Sequence, residues 1–208
     1  RLLMLLGRFD VARQELCDAL AEDPEDPVAH AFLALALNGS GEHARAADEA
    51  QAAIHLAPDM PLGHYALAAA LRGRRQMKQA EASVREAIRL DPEDAESFAL
   101  LSTICMQSWR PDDALAAAEQ GLSLDPTDEN CAYMRAVALA ALGRKDEADA
   151  VIEEALSRNP VNAEMHALQG WELLNRSQHR EALERFQEAL RLNAELPLAH
   201  QGLARVLK

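Results

Sequence analysis

Residues 129–162 read ENCAYMRAVALAALGRKDEADAVIEEALSRNPVN, and their pattern decides the fold. Tyr133, Val137, Ala140 and Ala141 recur at helical spacing until Gly143 interrupts them. Ala148, Ile152, Ala155 and Leu156 form a second apolar series, which Asn159-Pro160 stops. The stretch predicts helix, turn, helix, stop. Outward from it, the stopping proline recurs at Pro24, Pro58, Pro92 and Pro126, each 34 residues from the next.

The same period organises the rest. Ala12, Ala46, Ala80, Ala114, Ala148 and Ala182 form an unbroken column. Two more small-residue columns accompany it, Ala34 to Ala204 and Ala19 to Ala189, broken only by serine or glycine. Small side chains recur where helices touch at short range, because larger ones would overpack by roughly 1–3 kcal/mol. The expected layout is one continuous solenoid over residues 1–208. It has a partial repeat at 1–26, full repeats at 27–60, 61–94, 95–128, 129–162 and 163–196, and a partial one at 197–208. Leu2 to Leu6 are expected to end a helix and Gly7 to turn the chain. The other turns fall at Gly41, Arg75, Trp109, Gly143 and Ser177, with no strands. Ala194 replaces the sixth proline, predicting a smoother run out of the fifth full repeat.

In unit 61–94 the diagnostic places hold His64, Leu67, Ala68 and Leu71, then Ala80, Val84, Ala87 and Pro92. This pattern resembles the tetratricopeptide repeat over essentially the whole chain. The resemblance implies an all-α fold, a right-handed superhelix of antiparallel helix pairs whose first helices line a concave groove. It also bears on partners. The Lys/Asn clamp that holds a terminal carboxylate in some family members is replaced, in one register, by Ala31, Leu35, Ala66, Glu96 and Leu100. The asparagine ladder of other members reads Phe32, Ala66, Leu100, Met134 and Leu168. Arg135 and Gln169 stand in a leucine column, where the family tolerates them, and read as packing residues.

The chain carries a formal net charge of −13. Such a surface repels phosphate backbones, so no nucleic-acid partner is expected. Three scattered cysteines, Cys17, Cys105 and Cys131, suit neither a disulfide framework nor a metal cluster. Each reads as a small buried hydrophobe in a reducing, cytoplasmic setting. The apolar runs are too short or too interrupted to span a bilayer, so membrane attachment would need sequence outside this chain.

His30, His64, His166 and His200 share one column. Successive repeats hold equivalent atoms roughly 10 Å or more apart. Zinc ligands must converge at about 2 Å from one ion, so the column reads as packing and no metal or other cofactor is expected. No phosphate loop, HExxH or nucleophile elbow occurs, so no catalytic residues and no enzyme are expected. Trp109 is expected to pack over the neighbouring turn, the alternative being that it stays exposed as a contact for a partner.

The inner-face positions of the first helices include Leu35, Leu62, Tyr65, Arg72, Asn130, Tyr133, Val137 and Trp171. Their composition is mostly apolar, and the aromatics read either as anchors of the kind found at protein interfaces or as side chains that cover each other between adjacent repeats. The function expected is a non-catalytic interaction module that holds a polypeptide segment, apolar with flanking basic residues. The alternatives are a docking or regulatory segment of a larger enzyme or membrane-tethered protein, and a scaffold that self-associates through its terminal repeats. The stripe Leu198, Leu203 and Leu207 motivates the last of these.

Overall fold

The computed structural model describes residues 8–207. The expectations for Leu2–Leu6 and Gly7 lie outside these residues. The described chain is all-α, without a strand. Its helices are α1 (Phe9–Glu22), α2 (Pro27–Gly39), α3 (His43–Leu56), α4 (Pro61–Gly73), α5 (Met77–Leu90) and α6 (Ala95–Gln107). They continue as α7 (Pro111–Leu124), α8 (Glu129–Ala141), α9 (Lys145–Arg158), α10 (Ala163–Asn175), α11 (His179–Leu192) and α12 (Pro197–Val206).

Two kinds of turn alternate, and each arises from its residues. Between α2 and α3 the N–H of Gly41 bonds the carbonyl of Asn38 at 3.1 Å, and that of Glu42 bonds Leu37 at 2.9 Å. These are the two bonds that close a helix on a left-handed residue. The left-handed residues are Gly41, Arg75, Trp109, Gly143 and Ser177, with φ of 82°, 61°, 57°, 76° and 62°. Glycine meets no steric penalty there, whereas the other three hold the same geometry against about 1–2 kcal/mol.

The second kind of turn joins one repeat to the next. Asp23, Asp91, Asp125, Asn159 and Asn193 each accept the backbone N–H two residues on. Asp26, Asp94, Asp128 and Asn162 then cap the helix after the turn. Ala194 changes nothing here. Asn193 makes the same side-chain turn, α11 stops at Leu192, and α12 starts at Pro197. The turn is set by the Asx side chain, so losing the proline does not smooth the passage.

The chain divides into two compact units, Arg1–Trp109 and Arg110–Lys208. In the first, α2 packs on α3 and α4 on α5, and α3 meets α4. Leu33, Leu37, Ala46, Ala47 and Ala70 form one of its core clusters. In the second, α8 packs on α9 and α10 on α11, while α7 and α12 cover the ends of the series. The unbroken alanine column is buried throughout. Its uniformity reflects helix contact too close for any larger side chain.

The second unit carries the largest of the fully buried side chains among the described residues. Phe186 of α11 is fully buried and faces Gly170 of α10 and Gly202 of α12. A Cβ added at Gly170 would lie 2.7 Å from the Phe186 ring, and one at Gly202 would lie closer still. The missing side chains make the hole that the ring fills.

Candidate interaction faces

In the first unit the structure brings two of the expected inner-face residues, Leu62 and Tyr65 of α4, to one hollow of about 270 Å³. Met60 and Pro61 complete its apolar side, and Asp91, Asp94 and Glu96 line the other. The carboxylates arrive through the turn chemistry. Asp91 makes the Asx turn, Asp94 caps α6, and Glu96 sits in the first turn of that helix, where negative charge complements the helix dipole. The Asp94 carboxylate accepts the Ser97 hydroxyl at 2.5 Å and the Ser97 N–H at 3.2 Å. Hydrogen bonding therefore fixes its position at the edge of the hollow.

The remaining expected residues of this unit lie apart from it. Leu35 is half-buried against Ala34, Ala50 and Ala66. Arg72 is half-buried too, and its Nε–H has no acceptor.

In the second unit Asn130 is exposed, while Tyr133, Val137 and Trp171 are half-buried. Burial, and then the Glu164 charge, push the Tyr133 hydroxyl above its ordinary pKa. Trp171 is engaged within the fold. Its indole N–H donates to the Leu198 carbonyl at 3.1 Å, and its ring meets Phe186 edge-on at 5.8 Å. Arg205 lies over it at 5.7 Å, within cation–π range. Trp171 thus joins α10 to α12. A T-shaped pair of this kind contributes about 0.5–1.5 kcal/mol beyond area burial.

The histidine column holds the second kind of turn together. The Nε2 atoms of His30, His64, His166 and His200 contact the carbonyls of Pro24, Pro58, Pro160 and Ala194 at 3.1, 2.7, 3.0 and 2.8 Å. Each ring ties the start of a helix to the turn six residues earlier. His30 differs, because its Nδ1 also contacts Glu49 at 2.7 Å. Burial opposes its charge, but hydrogen bonds to Glu49 and the Pro24 carbonyl, with the Glu49 and Asp26 charges, raise its pKa above 6.5. At Ala132 the column has no ring, and Arg158 donates to the Pro126 carbonyl in its place at 2.8 Å.

Two expectations are corrected. Trp109 does not pack over a neighbouring turn but is 92% exposed. It occupies the left-handed position, from which its side chain runs into solvent. Cys17 is exposed, unlike buried Cys105 and Cys131. Its equivalents one to five repeats on are Gln51, Arg85, Glu119, Glu153 and Gln187, all exposed, so its column is the outer face of the second helix. Among the described residues no helix is long and apolar enough to cross a membrane. Nor do any three His, Cys, Asp or Glu among them group around a metal-sized site.

Tetratricopeptide repeat family models match residues 1–61, 65–129 and 106–171. The chain belongs to the tetratricopeptide repeat family. Solved structures with the same fold include the Cut9 and Hcn1 hetero-tetramer of the APC/C, with TM-score 0.80 at 17% identity. That match covers 99% of this chain and 41% of the other. PilF of Pseudomonas aeruginosa aligns with TM-score 0.71 at 20% identity, covering 98% of this tetratricopeptide repeat chain and 92% of PilF. YrrB, described as a tetratricopeptide repeat protein with an unusual peptide-binding site, gives 0.58 at 22%, covering 89% and 96%. No curated protein matches the sequence. The repeats place the chain among protein–protein interaction scaffolds.

Proposed function

We propose that the protein is a non-catalytic scaffold that holds a polypeptide segment on the inner faces of its first helices. The single observation that carries this reading is the hollow at Leu62 and Tyr65, apolar on one side and lined by Asp91, Asp94 and Glu96 on the other. A lysine or arginine fits that division. Its aliphatic stem covers Met60, Pro61 and Leu62 while its charged head meets the carboxylates. The cognate segment therefore combines apolar anchors with basic residues. The peptide-binding site named for YrrB supports a polypeptide as the ligand class.

The test is fluorescence anisotropy with labelled peptides that place leucine beside lysine or arginine, measured on the whole chain. Tyr65→Ala is expected to weaken binding by about 2 kcal/mol, as for an aromatic hot spot. Glu96→Gln is expected to weaken it less and to flatten its salt dependence. Tyr65 serves better than Trp171, whose removal would also loosen α12. Unchanged affinity in a folded Tyr65→Ala variant would move the site elsewhere.

A further inference from the structure

The second unit carries another pair of hollows, unrelated to the inner-face residues, and they are copies of each other. One, of about 230 Å³, is lined among others by Leu122, Pro126, Ala132, Arg135 and Val151. The other, of about 420 Å³, is lined by Leu156, Pro160, His166, Gln169 and Arg185, each 34 residues on from its counterpart. Both lie where a second helix meets the first helix of the next repeat.

The column that should close them is leucine elsewhere. Leu33 and Leu101 are buried there and Leu67 is half-buried. Arg135 and Gln169 replace it in two successive repeats, and each lines one of the two hollows. Three buried polar atoms without a hydrogen-bond partner lie along it, Arg135 Nε, His166 Nδ1 and Gln169 Oε1. His166 is only 6% exposed. Its Nε2 is committed to the Pro160 carbonyl at 3.0 Å, which leaves Nδ1 as an acceptor facing no donor. Native structures seldom leave such groups unpaired, because a buried donor or acceptor has given up its hydrogen bonds to water.

The crevice is less acidic than the chain as a whole, with Arg135, Arg158 and Arg185 lining it against Glu153 and Glu154. Arg135 approaches Glu119 at 3.8 Å, too far for a hydrogen bond. Arg185 makes no ion pair among the described residues, and Arg158 is already held by Glu154 and the Pro126 carbonyl. Arg135 and Arg185, one in each hollow, hold no carboxylate at hydrogen-bond distance, although Glu154 and Glu153 line the same two hollows. The Arg191 hydrogen bond lowers the pKa of Glu188, and the Arg185 charge helps.

We propose that this crevice is a second docking site, which takes an extended polypeptide segment bearing acidic side chains. Main-chain N–H groups of the segment satisfy His166 Nδ1 and the Gln169 amide. Its carboxylates meet Arg135 and Arg185. The two hollows are copies one repeat, or about 10 Å, apart, and an extended chain rises about 3.3 Å per residue, so carboxylates that each enter one hollow fall about three to five residues apart, Arg135 and Arg185 standing at different places within them. The site is separate from the inner face and opposite to it in charge preference.

The experiment is amide chemical-shift mapping on the whole chain with three glycine-based peptides. They carry two aspartates, two asparagines or two lysines at that spacing. The aspartate peptide is expected to shift amides around residues 132–135, 166–169 and 185 at millimolar concentration. The asparagine peptide is expected to bind at least about tenfold more weakly. Arg135→Leu with Gln169→Leu restores the leucine of the column, so this variant is expected to fold and to lose the shifts. No shift in these segments, shifts that survive in the folded variant, or equal binding of the lysine peptide there would overturn the proposal. Inner-face binding measured at Tyr65 is expected to be the same in the variant, so failure of one site is distinguishable from failure of the other.

Discussion

Replacing Gly170 by alanine should reverse its effect according to the residue at 186. In the native chain the new methyl would stand 2.7 Å from a Phe186 ring carbon, against the roughly 3.5–4.0 Å at which carbons attract. The ring or helix α10 must therefore retreat by about 1 Å, and overpacking of that order costs about 1–3 kcal/mol. Alanine returns about 1 kcal/mol through helix propensity, so the net loss is about 0–2 kcal/mol. In a Phe186→Val background the clash is gone and only the propensity gain remains, about 1 kcal/mol of stabilisation. The coupling between the two sites is then about 1–3 kcal/mol, as for side chains in contact. Urea unfolding of the four proteins of the cycle measures it, read by circular dichroism and by Trp171 emission with Trp109→Phe as common background. Their midpoints compare directly if the slopes agree. A Gly170→Ala change of the same sign and size in both backgrounds would refute the knob-and-hole reading.

Arg75→Gly and Ser177→Gly should each stabilise by up to about 1 kcal/mol, because the left-handed backbone costs glycine nothing, and Gly143→Ala should do the reverse. Nothing stands within 4 Å of a Cβ at Gly143, so a loss in thermal unfolding there would report conformation alone. His30 should titrate above 6.5 in the folded chain. The raised pKa means its contribution is complete below the unfolded value and fades as pH rises through the folded one. Imidazole chemical shifts should show this, and Glu49→Gln should bring the midpoint down. Ala148→Leu, in the fully buried column, should destabilise by about 1–3 kcal/mol in denaturant, and an unchanged midpoint would contradict close helix contact there.

The helices and turns were legible because one period controls both the apolar spacing and the punctuation. Even the non-glycine turns at Arg75 and Ser177 could be placed by counting from Gly41 and Gly143. Exposure was legible only when a whole column was read. Cys17 looks apolar in its own helix, yet its five counterparts are Gln, Arg and Glu. Trp171 was harder, because its three partners come from two other helices. Leu198 and Arg205 lie in the next repeat and Phe186 in the adjoining helix, and only packing brings them together. The Leu62 and Tyr65 hollow was half legible. Periodicity placed both residues on one helix face, but Asp91 and Asp94 come from the turn before the next helix, where they serve as turn residue and cap. Arg135 and Gln169 were visible as departures from leucine. That they open a crevice depends on the volumes around them, which sequence alone does not display.

The two kinds of turn have a consequence for how such a chain changes length. Their main-chain hydrogen bonds close within five residues, so no turn borrows a backbone partner from another repeat. A gene segment encoding 34 residues, cut at any point of the period, can be duplicated or deleted without orphaning a backbone group in either turn. The junction has only to match one alanine face to the next. Recombination between copies is therefore structurally cheap wherever the columns agree, and costly at α11, where a phenylalanine demands glycine on both neighbours.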